Sequence, residues 1–303
     1  MSIAAKLDGI EEIIPTGTEI ETVISGFDFT EGPIWHPAER TLIFSDILGN
    51  SIYRWSEASG LETIRRNSYM ANGNAYDQRW RIITCEHATS RLTRTDLSKG
   101  RDPEVLAAHF QGQQLNSPND VVVKRDGAIY FTDPTSGRSP GFGVPREPEL
   151  PFSGVFRLEP GTKKLTLLVD DFDKPNGLCF SSNEQLLYIN DTVRQHIRVF
   201  DVTEDGLLAN GRLFAQMEGG APGVADGMKV DSAGHLFSCG PGGIHIFTPD
   251  SRCLGIVPIP EMATNFVFGD DDLRTLYITA TTSIYRLRVL VPGFIPTQQE
   301  SYV

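Results

Sequence analysis

Apolar and polar residues follow one another along this chain in short runs, not in helical turns. Ile52-Tyr53-Arg54-Trp55, Val155-Phe156-Arg157-Leu158, Ile197-Arg198-Val199-Phe200 and Ile284-Tyr285-Arg286-Leu287 carry the two-residue period of a half-buried strand. A second kind of run is apolar until a small or polar residue ends it, as in Leu42-Ile43-Phe44-Ser45-Asp46, Ile129-Tyr130-Phe131-Thr132-Asp133 and Leu187-Tyr188-Ile189-Asn190-Asp191. Turn formers such as Asp126-Gly127, Glu159-Pro160-Gly161 and Ser232-Ala233-Gly234 stand between the runs. No long stretch has a 3.6-residue period, so almost no helix is expected.

The runs come in sets of four, and a short motif opens each set. The motifs are Glu31-Gly32, Asn72-Gly73, Asn119-Asp120, Asn176-Gly177, Asp226-Gly227 and Asn265-Phe266, at steps of 41, 47, 57, 50 and 39 residues by subtraction. Four strands at such a period predict an all-β, six-bladed β-propeller with four antiparallel strands per blade. The sixth set has no fourth run after Arg288. Glu19-Ile20-Glu21-Thr22-Val23-Ile24, just before the first motif, supplies it, so an N-terminal strand is expected to complete the last blade and cover its open edge. The 303 residues then form one domain, with a core of about 15–290 and a short tail over 291–303.

Composition removes some partners. A net charge of −12 argues against nucleic acid and against anionic membrane surfaces. No apolar segment is long enough to span a bilayer, and the first 20 residues lack a basic start followed by an apolar run. A cytoplasmic protein is expected. Cys85, Cys179, Cys239 and Cys253 show no C-x-x-C spacing and are expected to stay free thiols.

The chemistry follows from where a propeller puts its motifs. The innermost strand of each blade lines the central channel, so the six motif residues meet at one end of it. All six carry a side-chain oxygen, and an oxygen-lined pocket suits a hard divalent cation. Glu31 and Asp226 are the carboxylate candidates; Asn72, Asn119, Asn176 and Asn265 are the amide candidates. Ca²⁺ fits best, with Zn²⁺, Mn²⁺ or Mg²⁺ as alternatives. Each Asn-Gly or Asp-Gly pair is also ordinary turn chemistry. Neighbouring strands are antiparallel, so the ends of the second strands share this face. That adds Asp46, Glu86, His87, Asp133, Asn190, Asp191 and Cys239. Asp46, Asp133 and Asp191 can equally cap turns, and the cysteines can be packing. The long loop Pro134 to Ser153 falls on the same face and reads as a lid. Being polar and rich in Pro and Gly, it is expected to tune access while adding little to stability.

The segments EGPIW (31–35), ANGNAYD (71–77), TCEH (84–87), NSPNDVVV (116–123), YFTDPTSG (130–137), PNGLCFS (175–181) and ADGMKVD (225–231) together resemble the gluconolactonase branch of the regucalcin (senescence-marker protein)/gluconolactonase/luciferin-regenerating enzyme family. The resemblance runs over about residues 15 to 290. It implies one divalent metal in the channel, with Glu31, Asn176 and Asp226 as protein ligands, Asn119 as a further ligand or substrate contact, and Asp226 as general base. Two positions depart from the family's pattern. Ser117 stands where vertebrate members carry an Arg that contacts sugar, and Trp80 replaces a Gly usual in its turn. The activity implied is metal-dependent opening of a sugar lactone to an aldonic acid, with Asn119, Glu86, His87 and Ser117 holding substrate, in a monomer or homodimer. Hydrolysis of other lactones or organophosphate esters on the same site, and a non-enzymatic calcium-binding propeller, are the alternatives.

Overall fold

The computed structural model describes residues 9–100, 102–217 and 219–294. Six four-stranded antiparallel sheets make up the chain. Blade one is Thr30–His36, Thr41–Asp46, Ser51–Ser56 and Gly60–Arg66. Blade two is Ala71–Tyr76, Ile82–Glu86, Arg91–Thr95 and Glu104–Ala107. Blade three is Val121–Val123, Ile129–Asp133, Ser153–Leu158 and Leu165–Phe172. Blade four is Pro175–Phe180, Leu186–Asp191, His196–Val202 and Leu208–Gln216. Blade five is Met228–Val230, Leu236–Gly240, Gly243–Phe247 and Cys253–Val257. Blade six has Ala263–Gly269, Thr275–Ala280 and Ser283–Arg288, and takes Glu21–Ser25 as its outer strand. The first strands of successive blades touch one another in a closed cycle, which makes the fold a six-bladed propeller around a channel. Helix among the described residues is limited to two 3₁₀ turns, Ile10–Glu12 and Ser136–Arg138.

The ring closes as the pattern predicts, with small shifts. The closing strand is Glu21–Ser25, displaced by one to two residues from the expected run, and it pairs Glu21 with Arg286 and Ser25 with Ser283 around a bulge. The core also begins earlier than residue 15. Ile10, Ile13 and Ile14 are at most 2% exposed and pack with blades five and six in the largest apolar cluster. Blade two's outer run breaks at Ala107, and His109–Phe110 pairs instead with Gln113–Gln114 in a small hairpin. Trp80 adopts φ +57° where a Gly would be unstrained, and its ring packs on His36 and Tyr76.

The motifs sit on bulges. Register slips between Glu31 and Ile34, Ala71 and Asn74, Pro175 and Leu178, and Ala263 and Asn265, the start of the inner strand in four blades. A bulge re-aims a side chain out of the regular alternation. The glycine after the motif residue has a different task from turn formation. A Cβ on Gly73 would lie 2.5 Å from the Asn119 carbonyl oxygen, and one on Gly177 would lie 2.2 Å from that of Asp226. Gly32, Gly73 and Gly177 are therefore where the next blade's motif backbone passes, Gly227 is where the Asn265 side chain packs, and these glycines are explained by close approach around the channel. At its far end the channel is apolar, with a cavity of about 120 Å³ lined by residues including Trp35, Tyr76, Val121, Phe180 and Phe294.

Candidate functional site

Glu31, Asn176 and Asp226 come together at the motif end of the channel. Glu31 Oε2 accepts from Gly32 N at 2.6 Å and from Asn265 Nδ2 at 3.2 Å. The Asp226 side chain is hydrogen-bonded to both Glu31 and Asn176. Asn176 Nδ2 donates to Thr192 Oγ1 at 3.0 Å, and that hydroxyl donates to Ala225 O. Burial, together with the charge of Asp120, pushes Glu31 up to about 7. Burial, and then the charges of Glu31 and Asp120, lift Asp226 well above the usual carboxylate range. Two buried carboxylates in mutual contact must share a proton or a cation. With the Asn176 amide beside them they form an all-oxygen donor set, which fits a hard divalent ion. Among the described residues no three His, Cys, Asp or Glu side chains stand at ligating range, so a cation here draws on amide oxygen as well as on carboxylate.

Asn119 is buried at the channel, its N–H donating to Thr132 O and its carbonyl accepting from Gly73 N. Asn265 takes a different orientation. Its Oδ1 accepts from Lys229 Nζ at 3.0 Å and from Phe266 N at 2.9 Å, so only its Nδ2 is left to face Glu31. An ammonium and a backbone N–H can only donate, which settles which way this amide points. Asn72 Nδ2 lies 3.1 Å from His87 Nε2, and His87 Nδ1 lies 2.8 Å from Phe142 O. Phe142 O can only accept, so Nδ1 carries the proton and Nε2 accepts from Asn72. Burial holds His87 down to about 4, in the neutral form this relay requires.

Other expected site residues are turned elsewhere. Glu86 directs its carboxylate away from the channel: Oε1 accepts from Arg65 on the outer strand of blade one and from Thr93, and Oε2 from Thr89 and Arg91. Ser117 Oγ donates to Pro134 O and accepts from Gly137 N. Both side chains are fully buried in internal bonds, so the geometry gives them the work of positioning blade and loop. The three aspartates act as caps. Asp46 accepts from Asp28 N, Phe29 N and Gly49 N; Asp133 from Asn116 N and Ser117 N; Asp191 from Asp173, Lys174, Val193 and Arg194 N–H groups. Asn190 Nδ2 donates to Asp226 O, tying blade four to blade five. All four cysteines are free.

The loop between the second and third strands of blade three lies over the site face but is not loosely held. Arg138, 6% exposed, donates to Gln114 Oε1 and to the carbonyls of Leu115, Asn116 and Glu147. Arg146 Nη2 reaches His87 O and Ser90 Oγ, and Leu150 is 3% exposed within the core of blades two and three. The expectation that this segment adds little to stability is thus corrected: two arginines and a leucine buckle it to the blades.

Two channel residues escaped the sequence reading. Asp120 is 4% exposed, and its Oδ2 has no hydrogen-bond partner among the described residues. Burial raises Asp120 as it does Glu31, and the charge of the neighbouring Lys229 opposes that rise in both. A signal for Asp120 was present: four motifs have Gly in second place, and blade three has Asp.

Residues 29–282 match the family described as SMP-30/Gluconolactonase/LRE-like region. The chain is 30% identical over 306 aligned positions to the gluconolactonase of Zymomonas mobilis, across 94% of this chain and 85% of that protein. It is 27% identical over 264 positions to a pentonolactonase of Haloferax volcanii, across 82% and 80% of the two chains. Among solved structures it is similar to a gluconolactonase from Xanthomonas campestris, with a TM-score of 0.86, 34% identity, and coverage of 95% and 94%.

Proposed function

We propose that this chain, which belongs to the SMP-30/Gluconolactonase/LRE-like family, is a divalent-cation-dependent hydrolase that opens sugar lactones to aldonic acids. The observation that carries the proposal is the convergence of Glu31, Asn176 and Asp226 at one end of the channel. The names borne by the Zymomonas and Xanthomonas relatives support the same class of substrate. Glu31, Asn176 and Asp226 would hold the cation, Ca²⁺ first and Zn²⁺, Mn²⁺ or Mg²⁺ after it, with Asn119 beside it. Such an ion, when bound, supplies Lewis acidity toward a lactone carbonyl and lowers the pKa of water.

The remaining steps belong to the protein. Asp226 is the residue placed to take the proton from the attacking water, and later to return it to the ring oxygen as it leaves. Asn119 and Asn72 offer amide groups to the substrate's hydroxyls. His87 holds Asn72 by accepting from it, so that the Asn72 oxygen faces outward. Glu86 and Ser117 serve by fixing blade two and the covering loop. The test is hydrolysis of glucono-1,5-lactone followed by acid release, after chelation and after return of each cation in turn. Activity lost to chelator and restored by one or more cations is the expected result. Turnover indifferent to chelation, or calcium binding without turnover on any lactone or ester, overturns the proposal.

A further inference from the structure

The loop joining the second and third strands of blade three crosses more of the channel mouth than its own blade requires. Gly137 passes so close to blade two that a Cβ on it would lie 2.6 Å from that of His87. Phe142 O accepts from His87 Nδ1, and the Phe142 ring then meets Phe29 of blade one edge-on, with centroids 4.9 Å apart at 78°. Phe29 lies two residues before Glu31, and His87 is bonded to the channel residue Asn72. The strap therefore spans three successive blades on the cation-binding face. It brings an aromatic edge to the start of the strand that carries Glu31, and Phe142 is still 39% exposed.

The charges around this edge bear on what it accepts. Arg138 is engaged by internal oxygens through Nε and both Nη atoms, and the Nη atoms of Arg146 donate to Val144 O, His87 O and Ser90 Oγ. Lys229 is committed to Asn265 within the channel. Glu31 and Asp120 act by charge on Asp226 within the channel. With Arg138, Arg146 and Lys229 already engaged, what the strap offers a substrate is phenyl rings, which suit the C–H face of a neutral ring.

Resting on the lactonase reading above, we propose that Phe29 and Phe142 form a specificity-determining wall that packs against a neutral lactone ring. The strap's hydrogen bond to His87 comes from the backbone of Phe142, so Phe142→Ala removes the ring and leaves that anchor. The experiment is calorimetric titration of the Ca²⁺-loaded protein with glucono-1,5-lactam, a neutral ring that is not turned over, alongside kinetics on glucono-1,5-lactone. Losing an aromatic contact should weaken lactam binding roughly two- to tenfold in Phe142→Ala and Phe29→Ala. The same variants should raise KM for the neutral lactone by a similar factor and leave kcat within about twofold, as loss of uniform binding does. Equal lactam affinity in wild type and both variants, or no lactam binding by wild type, would each overturn the wall. Absence of any lactone turnover, with lactam bound and weakened as stated, would overturn the lactonase reading and leave the wall standing.

Discussion

Removing residues 1–25 should unfold this propeller or make it aggregate, and the structure supplies a magnitude. The deletion takes away Glu21–Ser25, which pairs with Ser283–Arg288, and so opens a sheet edge that can recruit other chains. It also takes away Ile10, Ile13 and Ile14, all buried against blades five and six. At about 1.5–3 kcal/mol for each buried isoleucine, the apolar loss alone is roughly 5–9 kcal/mol, an upper figure because unfolded chains retain some burial. A whole domain is stable by only about 5–15 kcal/mol. The Glu21–Arg286 ion pair is partly exposed and adds little. A milder change gives a graded reading. Ile13→Ala should cost about 2–5 kcal/mol. With an unfolding entropy near 2.1 cal/mol/K per residue, 303 residues give roughly 0.6 kcal/mol/K, so the midpoint should fall by about 3–8 °C. Calorimetric melts and size-exclusion chromatography measure both effects. A deletion variant that stays monodisperse with an unchanged midpoint, or Ile13→Ala within a degree of wild type, would refute the idea that the N-terminal segment both closes the ring and plugs blades five and six.

Three further outcomes are expected. Glu31→Gln and Asp226→Asn should each lose most cation affinity and lactone turnover at near-normal stability, because they remove charge at the channel without touching the blade cores; either variant with wild-type turnover and normal metal content would remove the site. His87, held neutral with a folded value of about 4 against about 6.5 when unfolded, contributes stability that is present above about pH 6.5 and lost as pH falls toward 4, up to about 3 kcal/mol. Urea denaturation of wild type and His87→Gln across that window should therefore give different slopes with pH, and parallel curves would show that His87 does not titrate as stated; Asp133, raised to about 7 by burial, acts alike in both proteins and cancels. Replacing Ser139 to Leu150 with a short Gly-Ser link should alter relative rates among lactones and retain metal, while lowering stability by about 2–5 kcal/mol through loss of Leu150 from the core; unchanged preferences would place the loop away from the substrate.

The propeller was legible because its information is local and repeated. A strand with one buried face must alternate, and the motif must recur wherever an inner strand begins, so period and phase could be read without knowing any contact. That Glu31, Asn176 and Asp226 would meet the other motif residues at one end of the channel followed from symmetry, whereas singling out these three came from the family resemblance. What sequence could not supply was direction within the face. Glu86 and His87 are neighbours at the end of one strand, yet alternation sends Glu86 to Arg65 and Arg91 and leaves His87 beside Asn72. The same blindness hid Asn265, whose place in the repeat is that of a ligand. Lys229, two residues after the Asp226-Gly227 motif on the inner strand of blade five, captures its oxygen and turns Asn265 into a donor to Glu31. Repeat position thus fixes where a backbone lies, while the function of each side chain is decided by partners contributed from other blades. The strap illustrates the converse. Its Pro/Gly-rich composition reads as loose, but Arg138 finds the carbonyls of Leu115 and Asn116 and Leu150 finds a core, both from residues distant in sequence. Six similar blades therefore make one asymmetric site through the positions that break the repeat: Asp120 in place of Gly, Lys229 within the channel, and a loop that crosses two neighbours to meet Phe29.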